Sequence, residues 1–409
     1  MSFEPNSVPL SQIAKLRSGF PFKSADWQSS GVPVIKIANV KGGRISQDGC
    51  GFVTHAVASK VPEWMTKDGD VLIAMTGYVG EVAWVRPGER FLINQRVGRF
   101  EFLNDSTVLP GFLYYYLLQP EIRFALEDMA RGSAQPNLSA GDAAKLAVPV
   151  LPLSHQRQIV SFGRALDDRI DNLRATNATL EAIAQAIFKS WFIDFDPVRA
   201  KMEGREPEGM DAETAALFPS EFEESELGLI PRGWKVVPVE QIAKISGGKQ
   251  LSRDEFIDEG EFPIFGGAGV MGRANRANAE GFVIVLGRVG AYCGQFFWHR
   301  GPAWVNNNAS LVTPINRAGE WLINLMWSID MNKIKKGAAQ PFVSNGDLGR
   351  VEVADPGSGL IAEFAKVGGP LFERIASLQS ELNAIAQLRD NLLPRLISGK
   401  LKLPERVES

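Results

Sequence analysis

The sequence predicts an α+β protein that uses one plan twice: two similar mixed α/β domains, each followed by a long helix, with the helices paired as a coiled coil in a pseudo-two-fold internal repeat. Three observations predict it. A glycine-rich signature returns 205 residues further on, a seven-residue apolar period follows each copy in the same phase, and the stretches before it alternate short apolar runs with glycines.

The signature is Gly132-Ser133-Ala134-Gln135-Pro136 followed by Ser139, Gly141 and Asp142, and it reappears as Gly337-Ala338-Ala339-Gln340-Pro341 followed by Ser344, Gly346 and Asp347. Upstream, Val8-Pro9-Leu10-Ser11-Gln12-Ile13-Ala14 matches Val237-Pro238-Val239-Glu240-Gln241-Ile242-Ala243, and Gly77-Tyr78-Val79-Gly80 matches Gly287-Arg288-Val289-Gly290. Order is kept while spacings drift, as expected of one scaffold presenting different loops.

Taken in order, residues 1–152 form the first domain, with strands expected at 34–37 and 71–75 and a helix over 113–131. A long helix spans 153–196. Its seam is Ile159, Leu166, Leu173, Leu180 and Ile187, beside Phe162, Ile170, Ile183 and Trp191. Residues 197–233 are polar, acidic and broken by Pro207, Pro219 and Pro231, which reads as a linker ordered at most in part. The second domain, 234–357, holds an expected strand at 282–286 and a helix over 321–336. Residues 358–409 are a second long helix and tail, with a seam of Phe364, Leu371, Leu378, Ile385 and Leu392 beside Val367, Ile375, Leu382, Leu388 and Leu396. Some 35 helical residues span on the order of 50 Å, enough for a rigid spacer.

Composition narrows the function classes. With 45% hydrophobic and 22% charged residues the chain is globular. No basic-then-apolar leader and no long apolar run is present, so a soluble, cytoplasmic protein without membrane contact is expected. Cys50 and Cys293, and His55, His155 and His299, are scattered, which offers neither a disulfide framework nor a metal site. The net charge of −3 does not announce a nucleic-acid binder, but it is uneven: residues 1–150 carry 15 Lys+Arg against 14 Asp+Glu, whereas residues 151–233 carry 9 against 15.

Gly267-Ala268-Gly269-Val270-Met271-Gly272 spells a dinucleotide-binding fingerprint, yet the chain runs on into another strand-like stretch and not into an amphipathic helix. No Asn-Pro-Pro-aromatic segment, phosphate-binding Gly-Lys-Ser/Thr loop, nuclease carboxylate cluster or nucleophile-histidine arrangement is found, so no catalytic residue and no bound cofactor is expected. The repeated loops do carry side chains suited to base edges, since Asn and Gln pair with adenine and Arg with guanine. In the first copy these are Tyr78, Asn94, Gln95, Arg96, Arg131, Gln135 and Asn137; in the second, Arg288, Asn306, Asn307, Lys336, Gln340 and Ser344. Each competes with a plain turn-forming role. A coiled-coil scaffold that binds protein and not DNA is the alternative reading.

Several segments resemble the specificity subunits of type I restriction-modification systems over nearly the whole chain. They are Phe188-Lys189-Ser190-Trp191-Phe192-Ile193-Asp194-Phe195-Asp196-Pro197-Val198, Lys201-Met202-Glu203-Gly204, Gly228-Leu229-Ile230-Pro231-Arg232-Gly233-Trp234, Phe262-Pro263-Ile264-Phe265-Gly266-Gly267, Ile284-Val285-Leu286-Gly287-Arg288-Val289-Gly290 and Leu396-Ile397-Ser398-Gly399-Lys400-Leu401. The resemblance implies that the globular copies are target-recognition domains and the helices the conserved regions, paired as an antiparallel coiled coil. It implies double-stranded DNA as ligand and two modification subunits as partners, which carry S-adenosylmethionine and methylate adenine. Restriction subunits using ATP and magnesium would complete the complex, and the site read would be asymmetric and bipartite.

Overall fold

The computed structural model describes residues 6–130, 136–337 and 340–403. The chain divides into two compact units, one made of residues 1–171 and 382–409, the other of residues 172–381. The division falls inside both long helices, Leu153–Phe192 and Ser358–Ile397.

Each unit is built on the same antiparallel four-stranded sheet. In the first, the order is Ala14–Ser18, Val97–Phe102, Val71–Ala74 and Val82–Trp84. The second repeats it with Ala243–Gly247, Ala309–Pro314, Phe282–Gly287 and Phe296–Arg300. Val71–Ala74 is buried on both faces, which is why it reads as an unbroken apolar run. A smaller sheet in each unit contains one parallel pair, Val32–Ile35 with Leu92–Ile93 and Phe262–Gly266 with Trp304–Val305. Before each long helix the chain is pinned by a strand near the start of its own copy: Ser7–Pro9 pairs with Ala147–Pro149, and Lys235–Pro238 with Glu352–Asp355.

The helix expected over 113–131 is two helices, Pro110–Leu117 and Pro120–Met129. Pro120 forces Gln119 into extended geometry and breaks the ladder. The one expected over 321–336 is Gly319–Ser328 followed by a single 3-10 turn, Met331–Lys333. Gly267 to Gly272 lie in a hairpin whose second strand is Gly269–Ala274, not at a strand-to-helix turn.

The segment read as a linker is folded. The first long helix ends at Phe192, and Phe195, in the left-handed region (φ 56°), turns the chain into the helix Asp196–Met202. A short helix Ala212–Ala216 and a hairpin of Phe222–Ser225 with Gly228–Pro231 follow. Val198, Phe218, Ile230 and Trp234 are buried in the core of the second unit, and burial of apolar anchors outweighs the polar composition around them.

In the first unit Asp167 of the first long helix meets Arg389 of the second; in the second unit Phe188 meets Phe364. Advance along one helix is retreat along the other, so they pack antiparallel. The expected seam is only part of the buried face: Ile159, Leu173, Phe364 and Leu378 are buried, while Leu166, Leu180, Ile187, Leu371, Ile385 and Leu392 are half-buried. The row three positions earlier is buried more consistently. It carries Gln156, Gly163, Ile170, Asn177, Ala184 and Trp191 in one helix, and Ile361, Gly368, Ile375, Leu382 and Leu396, with Arg389 half-buried, in the other. Gln156 is fully satisfied there, accepting from the Leu109 N–H (2.8 Å) and donating to the Thr107 and Leu151 carbonyls (2.8 Å each).

Candidate nucleic-acid interface

The same hydrogen-bond frame holds one exposed loop in each unit. In the first, Asn94 N–H donates to Ile35 O (3.0 Å), Val97 N–H to Asn94 O (2.8 Å), Phe20 N–H to Ile93 O (2.9 Å) and Gly19 N–H to Val97 O (2.9 Å). The second repeats every bond: Asn306 to Phe265 (2.8 Å), Ala309 to Asn306 (3.1 Å), Lys249 to Val305 (2.9 Å) and Gly248 to Ala309 (3.0 Å). A Cβ at Gly19 would lie 2.3 Å from Ile93 O, and one at Gly248 would lie 2.0 Å from Asn306 O, so glycine is required at both positions.

A second frame joins the turn after the central strand to the segment that follows the repeated signature. Leu138 N–H donates to Met75 O (2.8 Å) with Thr76 bridged to Asn137, and Val343 N–H donates to Arg288 O (2.9 Å) with Val289 bridged to Phe342. This sets Gly77 (φ 71°) against Gly290 (φ 77°), three positions from the pairing with Gly287 expected from sequence. Met75 N–H also donates to Arg96 O (2.9 Å), so in the first unit the two frames are adjacent.

The candidate residues separate by what they touch. Tyr78, Gln95, Arg96 and Asn137 are exposed in the first unit, where Asn94 is half-buried in the frame; Asn307 and Gln340 are exposed in the second. Arg288 is half-buried, and its Nη2 donates to Asn307 O (3.3 Å). Three residues expected to reach bases are otherwise engaged. Asn306 is buried and its Oδ1 accepts from Asn307 N–H (2.8 Å). Ser344 caps the helix Asn345–Gly349 by accepting from Asp347 N–H (3.0 Å), as Ser139 caps Ala140–Ala143. Lys336 pairs with Asp347 (2.8 Å), which also holds Arg350 (2.8 Å). Lys336 and then Ser344 hold the Asp347 carboxyl down at about 2. Arg131 and Gln135 lie outside the described residues.

Sequence reasoning missed the apolar part of the second surface. Val289, Tyr292 and Phe342 are 40%, 48% and 42% exposed, and Asn308, Lys249 and Gln250 of the same unit are exposed as well. Phe342 stands where the first unit has Asn137, and Val289 where it has Thr76. Their offsets from the repeated signature were readable, but apolar residues near a core strand are ordinarily assigned inward.

The family model described as the type I restriction modification DNA specificity domain matches residues 4–182 and again 231–356. The chain is 26% identical over 362 residues to the type I restriction enzyme HindI specificity subunit of Haemophilus influenzae, covering 73% of this chain and 79% of that one. It is 22% identical over 360 residues to the MjaIX specificity subunit of Methanocaldococcus jannaschii, covering 82% and 78%. The solved structure of a type I restriction-modification S subunit from M. genitalium aligns over 96% of this chain and 95% of that one, with TM-score 0.56 and 18% identity, so the two share a fold. With two matches of one family model, each over one copy of the repeated sheet, the chain belongs to the type I restriction modification DNA specificity family.

Proposed function

We propose that this chain is the sequence-reading subunit of a type I restriction-modification complex, non-catalytic by itself, with each unit reading one part of an asymmetric bipartite DNA site. The observation that carries the reading is the loop frame at Gly19 and Gly248: an identical scaffold in both units presents Gln95 and Arg96 in one and Asn307 and Asn308 in the other. Frame and reading chemistry are thereby separated, as base-edge readout requires.

The long helices support docking of two copies of one partner. Outward positions repeat between them: Arg169 matches Arg374, and exposed Ile183 matches exposed Leu388. Two modification subunits on these faces would bring S-adenosylmethionine and a pocket for the extruded adenine, and restriction subunits would bring ATP and magnesium. With a net charge of −3 the chain has little phosphate-neutralising capacity of its own, so the modification subunits supply the positive surface. The isolated chain should then show a weak salt dependence of DNA binding.

Sequencing of methylated adenines in cells expressing the chain with its modification subunit tests the reading. A two-part motif with a constant gap is expected. Gln95→Ala with Arg96→Ala should relax one part, and Asn307→Ala with Asn308→Ala the other, since each bidentate pair with a base supplies about 1–3 kcal/mol of discrimination. Methylation indifferent to the chain, from a co-purifying complex, would overturn the proposal and favour a scaffold.

A further inference from the structure

The face by which the long helices meet in the first unit is chemically unlike its counterpart in the second. In the first, Asp167 accepts from Arg389 Nη1 (2.7 Å) and from the Tyr115 hydroxyl (2.9 Å), with Asp167 and Arg389 side chains only 11% and 18% exposed. Gly163 makes the room: a Cβ there would lie 2.4 Å from the Tyr115 ring. Moving Asp167 forward by the repeat gives Phe372, and moving Arg389 back gives Ala184, both fully buried. The Phe372 ring lies 4.8 Å from that of Trp298 and 5.6 Å from that of Phe282. With Gly111 set against Gly319, the counterpart of Tyr115 is Ile323, also fully buried. One copy is polar or charged where the other is apolar at all three positions.

The helices are copies of one plan, so the nearest alternative to the native pairing joins like with like. A first long helix in place of the second would set Ala184 opposite Asp167. A second in place of the first would set Phe372 opposite Arg389. The first pairing leaves the buried Asp167 carboxylate with only the Tyr115 hydroxyl, and the second leaves Arg389 with only its helix neighbour Asp390 (2.8 Å), so each like pairing loses the cross-helix ion pair at a buried face, which is far costlier than a matched ion pair or an apolar contact. We propose that Asp167 and Arg389 select the helix partner: the buried face of the first long helix fits a second long helix and rejects a like helix from another copy of this chain. The pair's contribution is then to pairing specificity, the role a buried polar group plays in setting coiled-coil register.

Two differently tagged full-length chains, denatured, mixed and refolded together, report partner choice as the mixed species recovered through both tags. Wild type should give little. Asp167→Phe combined with Arg389→Ala makes the two positions alike in both copies, and the mixed fraction should rise about tenfold or more, because loss of the ion pair no longer opposes like pairing. A folded double variant that mixes no more than wild type overturns the proposal. Should that variant not fold, a chain with Asp167→Arg refolded together with a chain with Arg389→Asp decides: each alone sets like charges face to face, while exchange of helices between them matches both pairs. A mixed dimer formed only when both are present supports partner selection. Its absence, or efficient refolding of each chain alone, overturns it.

Discussion

In the second unit Phe364 is fully buried with its ring 5.5 Å from Phe192, 5.7 Å from Phe188 and 6.1 Å from Trp191. In the first unit the junction of globular part and helices is polar instead: Arg44 and Arg86 both pair with Asp171, and one turn earlier on the same helix Asp167 holds Arg389 of the other long helix and the hydroxyl of Tyr115 from the globular part. The difference teaches that one backbone plan can be held closed by either chemistry, and that the two fail differently. Ring packing loses stability in proportion to the volume removed. A buried ion pair contributes little net stability when intact and a large penalty when halved.

Ways to break that contrast run from large to small. Phe364→Ala should cost about 3–5 kcal/mol, read by denaturant unfolding followed through tryptophan emission, since it opens a cavity among rings. Arg389→Ala should cost about 3 kcal/mol by leaving the Asp167 carboxylate buried, and adding Asp167→Ala should return part of that loss; strict additivity in the double variant would refute the coupling. Ser139→Ala and Ser344→Ala should each cost about 1 kcal/mol, with unequal losses showing that the two copies use their caps differently. The smallest effect is a pH dependence at Asp347. Its folded value of about 2 lies below its ordinary 3.8, so the stability it contributes is full above 3.8 and is lost as pH falls toward 2. Acid-unfolding curves of wild type and Asp347→Asn should therefore differ at neutral pH and converge near pH 2.

The repeat and the two long helices were legible because a heptad and a fixed offset survive without knowledge of tertiary neighbours. The buried row through Gln156, Gly163, Asn177 and Ala184 was not, because a search for apolar side chains passes over small and amide residues that packing and hydrogen bonds make buried. Residues 197–233 were misread for the related reason that a few anchors, Val198, Phe218 and Ile230, suffice to order an acidic stretch. At the candidate interface, residue type pointed to Gln95, Arg96, Asn137 and Asn307, which are exposed, and equally to Ser344, Lys336 and Asn306, which have partners. Residue type alone cannot say which amide or ammonium is already engaged.

The unit boundaries also bear on how such a chain changes over generations. Residues 6–171 and 382–403 fall in the first unit, and the second, residues 172–381, is one uninterrupted stretch between them. Replacing the second unit by that of another such chain thus takes two junctions, each within a long helix near residues 171 and 382. A junction in the acidic stretch 197–233 would instead separate Val198 from Phe218, Ile230 and Trp234 and leave the incoming unit without part of its own core. Helix interiors, where a heptad accepts a junction in phase, are the permissive seams for exchanging a unit.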